Sequence, residues 1–316
     1  MGNQHSQQSR QSKRRRFKTT SSISSNEYSP SPTTSNFRYE GGRKFHRGIA
    51  TLLPTDEPEA IRNEKQQIAA KLMWQGNFSS PIGEHLKAGG LQILDLGCGP
   101  GTWIIDMAKT YPLCSFTGVD IAPLHPSTEL PENVEFIQAN LLDGLSIENS
   151  RFDFVVTHFL SLPIPQWKLI IKEAARVMKP GAWLEWMGHN PALRNQGENT
   201  KKLRQSVLAA SKARGVDPWV ITEFPRMLDN SGIFVNIRNG KQSAIYGSAG
   251  GKCGELCAEV SISAYQAMKK TTLEFTSLTP QEYDLLLNNV REEFEQYQTM
   301  IEIHRFCAQK IVIDSE

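Results

Sequence analysis

No apolar run in this sequence is long enough to span a bilayer, so a membrane-spanning helix is not expected. Charge of one sign is also missing. A formal net charge of +2 over 316 residues argues against a dedicated nucleic-acid binder, whose basic face would show in the total. Cysteine is scarce: Cys98, Cys114, Cys253, Cys257 and Cys307 are scattered, and no secretory signal precedes them. Free thiols in a reducing compartment are therefore expected. Cys253 and Cys257 sit one helical turn apart. Without a second Cys or His pair near them, no metal site is expected. Nor is an internal repeat visible. What remains is ordinary globular composition, 39% hydrophobic. A chain this long can bury a full core without disulfide or metal staples.

Two regions differ in composition. Residues 1–42 are rich in Ser, Gln, Thr, Arg and Pro, with too few large apolar side chains to offset the entropy of ordering. They read as a disordered basic tail. Residues 43–316 read as one folded domain: a helical lead-in over 55–90, a core over 91–190 and a C-terminal part with a helical insert over 191–316. In the lead-in, Ile61, Ile68 and Leu72 recur at helical spacing among polar residues, which predicts an amphipathic helix. A short second helix is expected from Pro81 to the Gly89-Gly90 stop.

From Leu91 strand and helix patterns alternate. Strands are expected at 91–96, 115–120, 134–138, 152–157, 182–187, 233–238 and 299–308. Helices are expected at 101–110, 166–178, 201–213, 254–270 and 280–298. This alternation implies an α/β fold, a doubly wound and mostly parallel seven-stranded sheet with helices on both faces.

The segment Asp95-Leu96-Gly97-Cys98-Gly99-Pro100-Gly101 joins the first core strand to a helix. Such a turn presents backbone N–H groups at the carboxyl edge of the sheet, where ligands bind. Glycine lets the backbone bend sharply and touch the ligand. A dinucleotide site would show G-x-G-x-x-G. Here the spacing is G-x-G-x-G, and Pro100 removes a donor that a pyrophosphate would use. A nucleoside-linked amino acid carries no phosphate and loses less. Asp120, ending the second core strand, is placed to accept from ribose hydroxyls, a feature common to both ligand types.

These segments resemble the motif series of class I S-adenosylmethionine-dependent methyltransferases. Ile93–Gly101 is similar to the first motif, Thr117–Asp120 to the second, Phe136–Asn140 to the third and Phe152–His158 to the fourth-strand motif. Arg176–Gly181 is similar to the approach to the fifth strand. The likeness runs over roughly 45–310. The Leu53-Pro54-x-Asp56-Glu57 lead-in, Trp167, the late helical insert and Ala308-Gln309-Lys310 further resemble the fungal LaeA-type methyltransferases, a group linked to regulation of secondary metabolism.

The resemblance implies S-adenosylmethionine as cofactor, held by Asp95, Gly97 and Gly99 at its methionine end and by Asp120 at the ribose, with Cys98, Gly101 and Thr157 also among the cofactor-binding residues. Ile121, Asn140 and Leu141 would surround the adenine. Many members carry Asp where this chain has Asn140, whose amide oxygen can still accept from the adenine amino group. Thr157 and His158 would face the methyl group and are the catalytic candidates. Glu185 and His189 are candidates for the acceptor side. No Asn/Asp-Pro-Pro-Tyr motif follows the fourth strand, which disfavours DNA bases and glutamine as acceptors.

The implied function is methyl transfer to an unidentified small-molecule or protein acceptor. The alternative is a regulatory protein that keeps the fold without turnover. In the tail, Met1-Gly2-Asn3-Gln4-His5-Ser6 fits the myristoylation pattern, with Gly2 as the acylated residue. Lys13–Lys18 would add attraction to an anionic leaflet. The expected location is cytoplasmic, attached peripherally to a membrane through the acyl chain. The alternative is nuclear import read from the same basic run.

Overall fold

The strand-helix alternation after Leu91 is realised as a seven-stranded sheet in the computed structural model, which describes residues 36–48, 51–126 and 129–312. In chain order the elements begin with β1 (Phe37–Glu40), β2 (Arg43–His46), α1 (Glu57–Trp74) and α2 (Gly83–Ala88). The core follows: β3 (Gln92–Leu96), α3 (Thr102–Thr110), β4 (Ser115–Asp120), β5 (Val134–Gln138), β6 (Phe152–His158), α4 (Ile164–Val177) and β7 (Met178–Arg194). The C-terminal part holds α5 (Glu198–Ala213), α6 (Val220–Asp229), β8 (Phe234–Ile245), α7 (Gly251–Glu274), α8 (Pro280–Gln296) and β9 (Met300–Lys310).

The strand order is β5-β4-β3-β6-β7-β9-β8. The first five are parallel, and β9 runs antiparallel to both β7 and β8. Alternate residues of the central strands serve opposite faces. Ile93, Phe116, Phe154 and Val156 pack with Leu86 of α2 and Trp103, Ile104 and Met107 of α3. Leu94, Val155, Leu184 and Trp186 pack with Trp167 and Ile171 of α4 and Phe224 and Leu228 of α6. With both faces covered, the strands are near-continuously apolar. Each such side chain contributes about 1.5–3 kcal/mol on full burial. The helices α5, α7 and α8 share a separate core around Leu203, Leu256, Tyr283, Val290 and Phe294. Buried Glu293 of α8 accepts from Asn199 N (2.9 Å) and Thr200 N (2.7 Å), capping the start of α5.

The structure departs from the sequence reading in four places. Residues 37–42, assigned to the tail, belong to a β1–β2 hairpin in which Phe37 pairs with His46 and Glu40 with Arg43. Arg43 makes two hydrogen bonds to Asp56 (2.7 and 2.8 Å), and Asp56 also caps α1 by accepting from Glu59 N. The short hairpin alternates too briefly to stand out from polar sequence. The rest of the tail, with Gly2 and Lys13–Lys18, lies outside the described residues.

Second, α6 was not expected, because Pro225 lies inside it and reads as a helix breaker. Third, β7 and β8 extend well past their expected ends. Their outer halves form a ribbon with β9, in which Gly188 pairs with His304 and Lys241 with His304 from the other side. The polar stretch Asn239–Ser243 has no apolar alternation to announce it.

Fourth, the face of α1 is inverted. Ile61, Ile68 and Leu72 are exposed at 47%, 41% and 46%, whereas Glu59, Arg62, Gln66 and Gln67 are buried. Ala69 and Ala70 allow close approach to the body of the protein. The inward face of this helix lines a cavity with Glu59, Arg62, Asn63, Gln66 and Gln67 instead of packing wholly into the core. Among the described residues no helix is long and apolar enough to cross a membrane.

Candidate functional site

From β3 the chain runs to β4 and β5 on one side and returns to β6 on the other, so the order reverses between β3 and β6. A crevice outside the carboxyl ends of the strands opens at such a point. The loop leaving β3 forms one wall. Gly97 N and Cys98 N both donate to Val119 O (2.8 and 3.1 Å), and Gly101 N donates back to Cys98 O (2.9 Å). Gly101 has φ +77°, and a Cβ there would lie 2.5 Å from Cζ of Phe136. Glycine at this position is therefore required by both backbone and packing. At Gly99 the φ is +53°, yet a Cβ would meet only Asn63 Nδ2, at 3.8 Å. The space in front of Gly99 belongs to the cavity.

This cavity, of about 200 Å³, is lined by Asp95, Gly97, Cys98, Gly99, Asp120, Ile121, Asn140, Leu141 and His158. The structure thus brings together nine of the residues expected to hold a cofactor or face its methyl group. Gly101 shapes the loop from behind. Thr157 does not fit its expected role: it is buried in β6 and lines neither this cavity nor its neighbour. Successive strand residues point to opposite faces, so Thr157 and His158 cannot both face the crevice.

The two acids of the site differ. Asp95 is fully buried and its Oδ1 has no hydrogen-bond partner among the described residues. Burial, with the negative charge of Asp120 nearby, pushes its pKa up to about 8. A cationic group placed in the cavity would satisfy that oxygen and restore the charged form. Asp120 is already engaged: Oδ2 accepts from Gly99 N (2.8 Å) and Oδ1 from Ala122 N (2.9 Å). Burial raises its pKa, opposed by those N–H groups. Each oxygen keeps a second lone pair, enough for two ribose hydroxyls. Asp120 therefore fixes the glycine loop as well as facing the cavity. Asn140 is similarly occupied. Its Oδ1 accepts from Leu142 N and its Nδ2 donates to Asp143, shaping the 3₁₀ turn Leu141–Asp143.

His158 has both ring nitrogens buried without partners among the described residues and packs edge-to-face on Trp103 at 5.3 Å. Burial, reinforced by the positive charge of Arg305, holds its pKa well below the ordinary value. The ring is neutral near pH 7. Trp103 Nε1 donates to Asn77 O, which fixes the indole as a wall.

The sequence reading missed the opposite wall. Glu59, Arg62, Asn63, Gln66 and Gln67 of α1 face the cavity. Arg62 is ion-paired with Glu59 at 2.7 Å and also donates to Gln66 and Asn63. Their spacing is itself helical, and this polar stripe was the available signal. The loop Phe159–Leu162 closes the crevice on the β6 side.

A second cavity of about 290 Å³ adjoins the first, the two sharing Thr51, Leu53, Arg62, Gln66 and Phe159–Leu162. His189 lines it, with Nε2 buried and unpartnered among the described residues. Burial, with the charge of Arg62, lowers the pKa of His189 to about 4. Glu185 does not belong there. It is fully buried, and its Oε2 accepts from Ser79 N, Ser80 N and Ser80 Oγ, all at 2.8 Å. Its partner across the sheet is Arg305.

Comparison with known proteins agrees with this geometry. Residues 93–181 match the family model described as a methyltransferase domain. The chain is 32% identical over 153 residues to the secondary metabolism regulator laeA of Coprinopsis cinerea, covering 47% of this chain and 38% of that protein. It is 30% identical over 164 residues to the protein-methionine methyltransferase laeA of Emericella nidulans, covering 50% and 42% respectively. The chain thus spans less than half the length of these curated relatives. Among solved structures, phosphoethanolamine N-methyltransferase 2 of Haemonchus contortus aligns with TM-score 0.47 and 16% identity, covering 85% of this chain and 62% of that one. The glycine loop and its two acids fall inside the matched segment, so this stretch of the chain resembles the methyltransferase domain that the family model describes and the corresponding segment of the laeA proteins.

Proposed function

We propose that the protein transfers the methyl group of S-adenosylmethionine to an acceptor held in the cavity beside the cofactor. The observation that carries this reading is the buried, unpartnered Oδ1 of Asp95 in the crevice at the glycine loop. An uncompensated carboxylate is costly to bury, and an ammonium group removes the cost. Asp95 would take the cofactor's α-ammonium, and the second lone pairs of Asp120 its ribose hydroxyls. Ile121 and Leu141 would flank the adenine. When bound, the cofactor supplies an electrophilic methyl group. The chain's part is to align the acceptor with it and exclude water. Trp103 and the loop Phe159–Leu162 serve that exclusion. His158, held neutral, offers a ring nitrogen as a hydrogen-bond acceptor. Its low basicity suits orientation of the acceptor better than removal of a proton.

Calorimetry with S-adenosylhomocysteine and with NAD tests the binding step. Binding of NAD in place of the former would overturn the reading. Turnover is tested by incubating the protein with cell extract and methyl-labelled donor. The laeA relatives' name as regulators favours a second reading, a regulatory protein on this fold that binds the cofactor without turnover. Persistent absence of label with intact S-adenosylhomocysteine binding would select it.

For the tail we propose N-myristoylation of Gly2, with Lys13–Lys18 as the second membrane signal, in a protein whose translation starts at Met1. One myristoyl chain alone binds membranes only marginally, with a constant of about 10⁴ per molar. This gives a cytoplasmic protein held at a membrane surface. Gly2→Ala should release it. No acyl group on Gly2 by mass spectrometry, with equal distribution of both forms, would leave nuclear import as the reading of the basic run.

A further inference from the structure

The second cavity has apolar walls and, among the described residues, one cation without an anion. Trp186 and Ile221 line it from one side, Leu193 and Val207 from another, and Val260 and Met268 of α7 close it. Arg204 of α5 also lines it. The Nε of Arg204 donates to Pro191 O (2.6 Å), and Nη1 reaches Gln196 Oε1 at 3.4 Å. No carboxylate lies within ion-pair distance of this guanidinium among the described residues. The other arginines at or near the site are paired, Arg62 with Glu59 and Arg305 with Glu185. Asp217, the one acid lining this cavity among the described residues, accepts instead from Trp219 N. Arg204 is half-buried, and that partial burial lowers its pKa, opposed by Tyr265 and Tyr246. Withdrawing a guanidinium from water is unfavourable unless an anion meets it, and its planar fork matches a carboxylate.

Resting on the methyltransferase reading above, we propose that this cavity is the acceptor site and that it takes a chiefly apolar organic acid. The anionic group sits at Arg204 and the body lies between Trp186 and Met268. The shared wall of Arg62, Gln66 and Phe159–Leu162 then leads the far end of the molecule to the cofactor cavity. About 290 Å³ accommodates a body of two fused rings.

The experiment is calorimetric, on the full chain saturated with S-adenosylhomocysteine, using 2-naphthylacetate and the neutral isostere 2-naphthylacetamide as probes. The acid should bind about tenfold or more tightly than the amide, as a charge-assisted contact requires. Arg204→Met should bring the two to similar affinity, and Arg204→Lys should restore part of the preference for the acid. Thermal melts of the variants establish that they are folded. The proposal is overturned if the acid does not bind, if both probes bind wild type equally, or if the preference survives in Arg204→Met. It is also overturned if the acid displaces S-adenosylhomocysteine. Should S-adenosylhomocysteine itself fail to bind, the methyltransferase reading falls. The acid-over-amide preference is then measured on the protein alone and decides the anion site separately.

Discussion

The two cavities are built in different ways. The cofactor cavity draws its floor from one short stretch, Asp95–Gly99, with single additions from β4 and β6. Its specificity comes from backbone turns and two acids at strand ends. The adjoining cavity is assembled from Thr51 to Ile301, with side chains from α1, β7, α5, α6, α7 and β9. A local site can be written as a motif. A site gathered from six distant elements depends on how the helices pack, and its chemistry can vary while the first site stays the same.

The largest expected effects separate the two roles of glycine in the loop. Gly101→Ala puts a Cβ 2.5 Å from the Phe136 ring at φ +77°, so it should destabilise the fold, by about 1–3 kcal/mol. Gly99→Val projects into the cavity, where protein atoms leave room. It should abolish S-adenosylhomocysteine binding, with a strain cost of only about 1–2 kcal/mol at this φ. Thermal melts and calorimetry on both variants check this. If Gly99→Val binds the ligand normally, the loop is not the cofactor site.

Next comes Asp95→Asn. Loss of the charged partner should weaken S-adenosylhomocysteine by about ten- to a hundredfold. The ligand-free protein should become more stable at pH 8, by about 1–3 kcal/mol, since a buried charge is removed. The sign follows from linkage. The carboxyl titrates at about 8 when folded and near 4 when unfolded, so the folded state holds the extra proton between those values. In wild type this residue lowers stability as pH rises from about 4 to about 8. Binding at pH 7 should accordingly release a proton, seen as a buffer-dependent enthalpy that vanishes in Asp95→Asn. A mutant that loses stability at pH 8 would show that Asp95 braces the turn.

A smaller effect is expected at Asp120. Asp120→Asn keeps one oxygen acceptor but loses charge, and should weaken binding about fivefold to tenfold. Asp120→Ala also frees Gly99 N and Ala122 N, so its loss should be larger and accompanied by a lower melting temperature. Equal effects of Asn and Ala on binding would remove the loop-bracing role. The smallest expected effect is null. Arg204→Met should leave S-adenosylhomocysteine affinity within about twofold, because the residue touches only the second cavity. A large change would mean that the two cavities are not independent.

What could be read without coordinates follows the same division. Fold class, the core strands β3 to β6 and nine of the residues lining the first cavity were legible because they depend on short-range rules. Apolar strands bounded by Gly or Asp, a glycine loop and an acid at a strand end are all neighbours in sequence. Of Thr157 and His158 only the second lines the crevice, since the register of β6 decides which of two adjacent residues sees it. Glu185 was misread because Ser79 and Ser80, which bind it, are more than a hundred residues away.

The sequence by itself determined the topology and the chemistry of the cofactor loop, where each residue's role is set by its immediate neighbours. The tertiary structure alone decided that the polar face of α1 turns inward, that Asp95 is left without a partner and that Arg204 stands without a carboxylate. Burial and pairing are properties of what packs against a residue, and here those neighbours come from elements far along the chain.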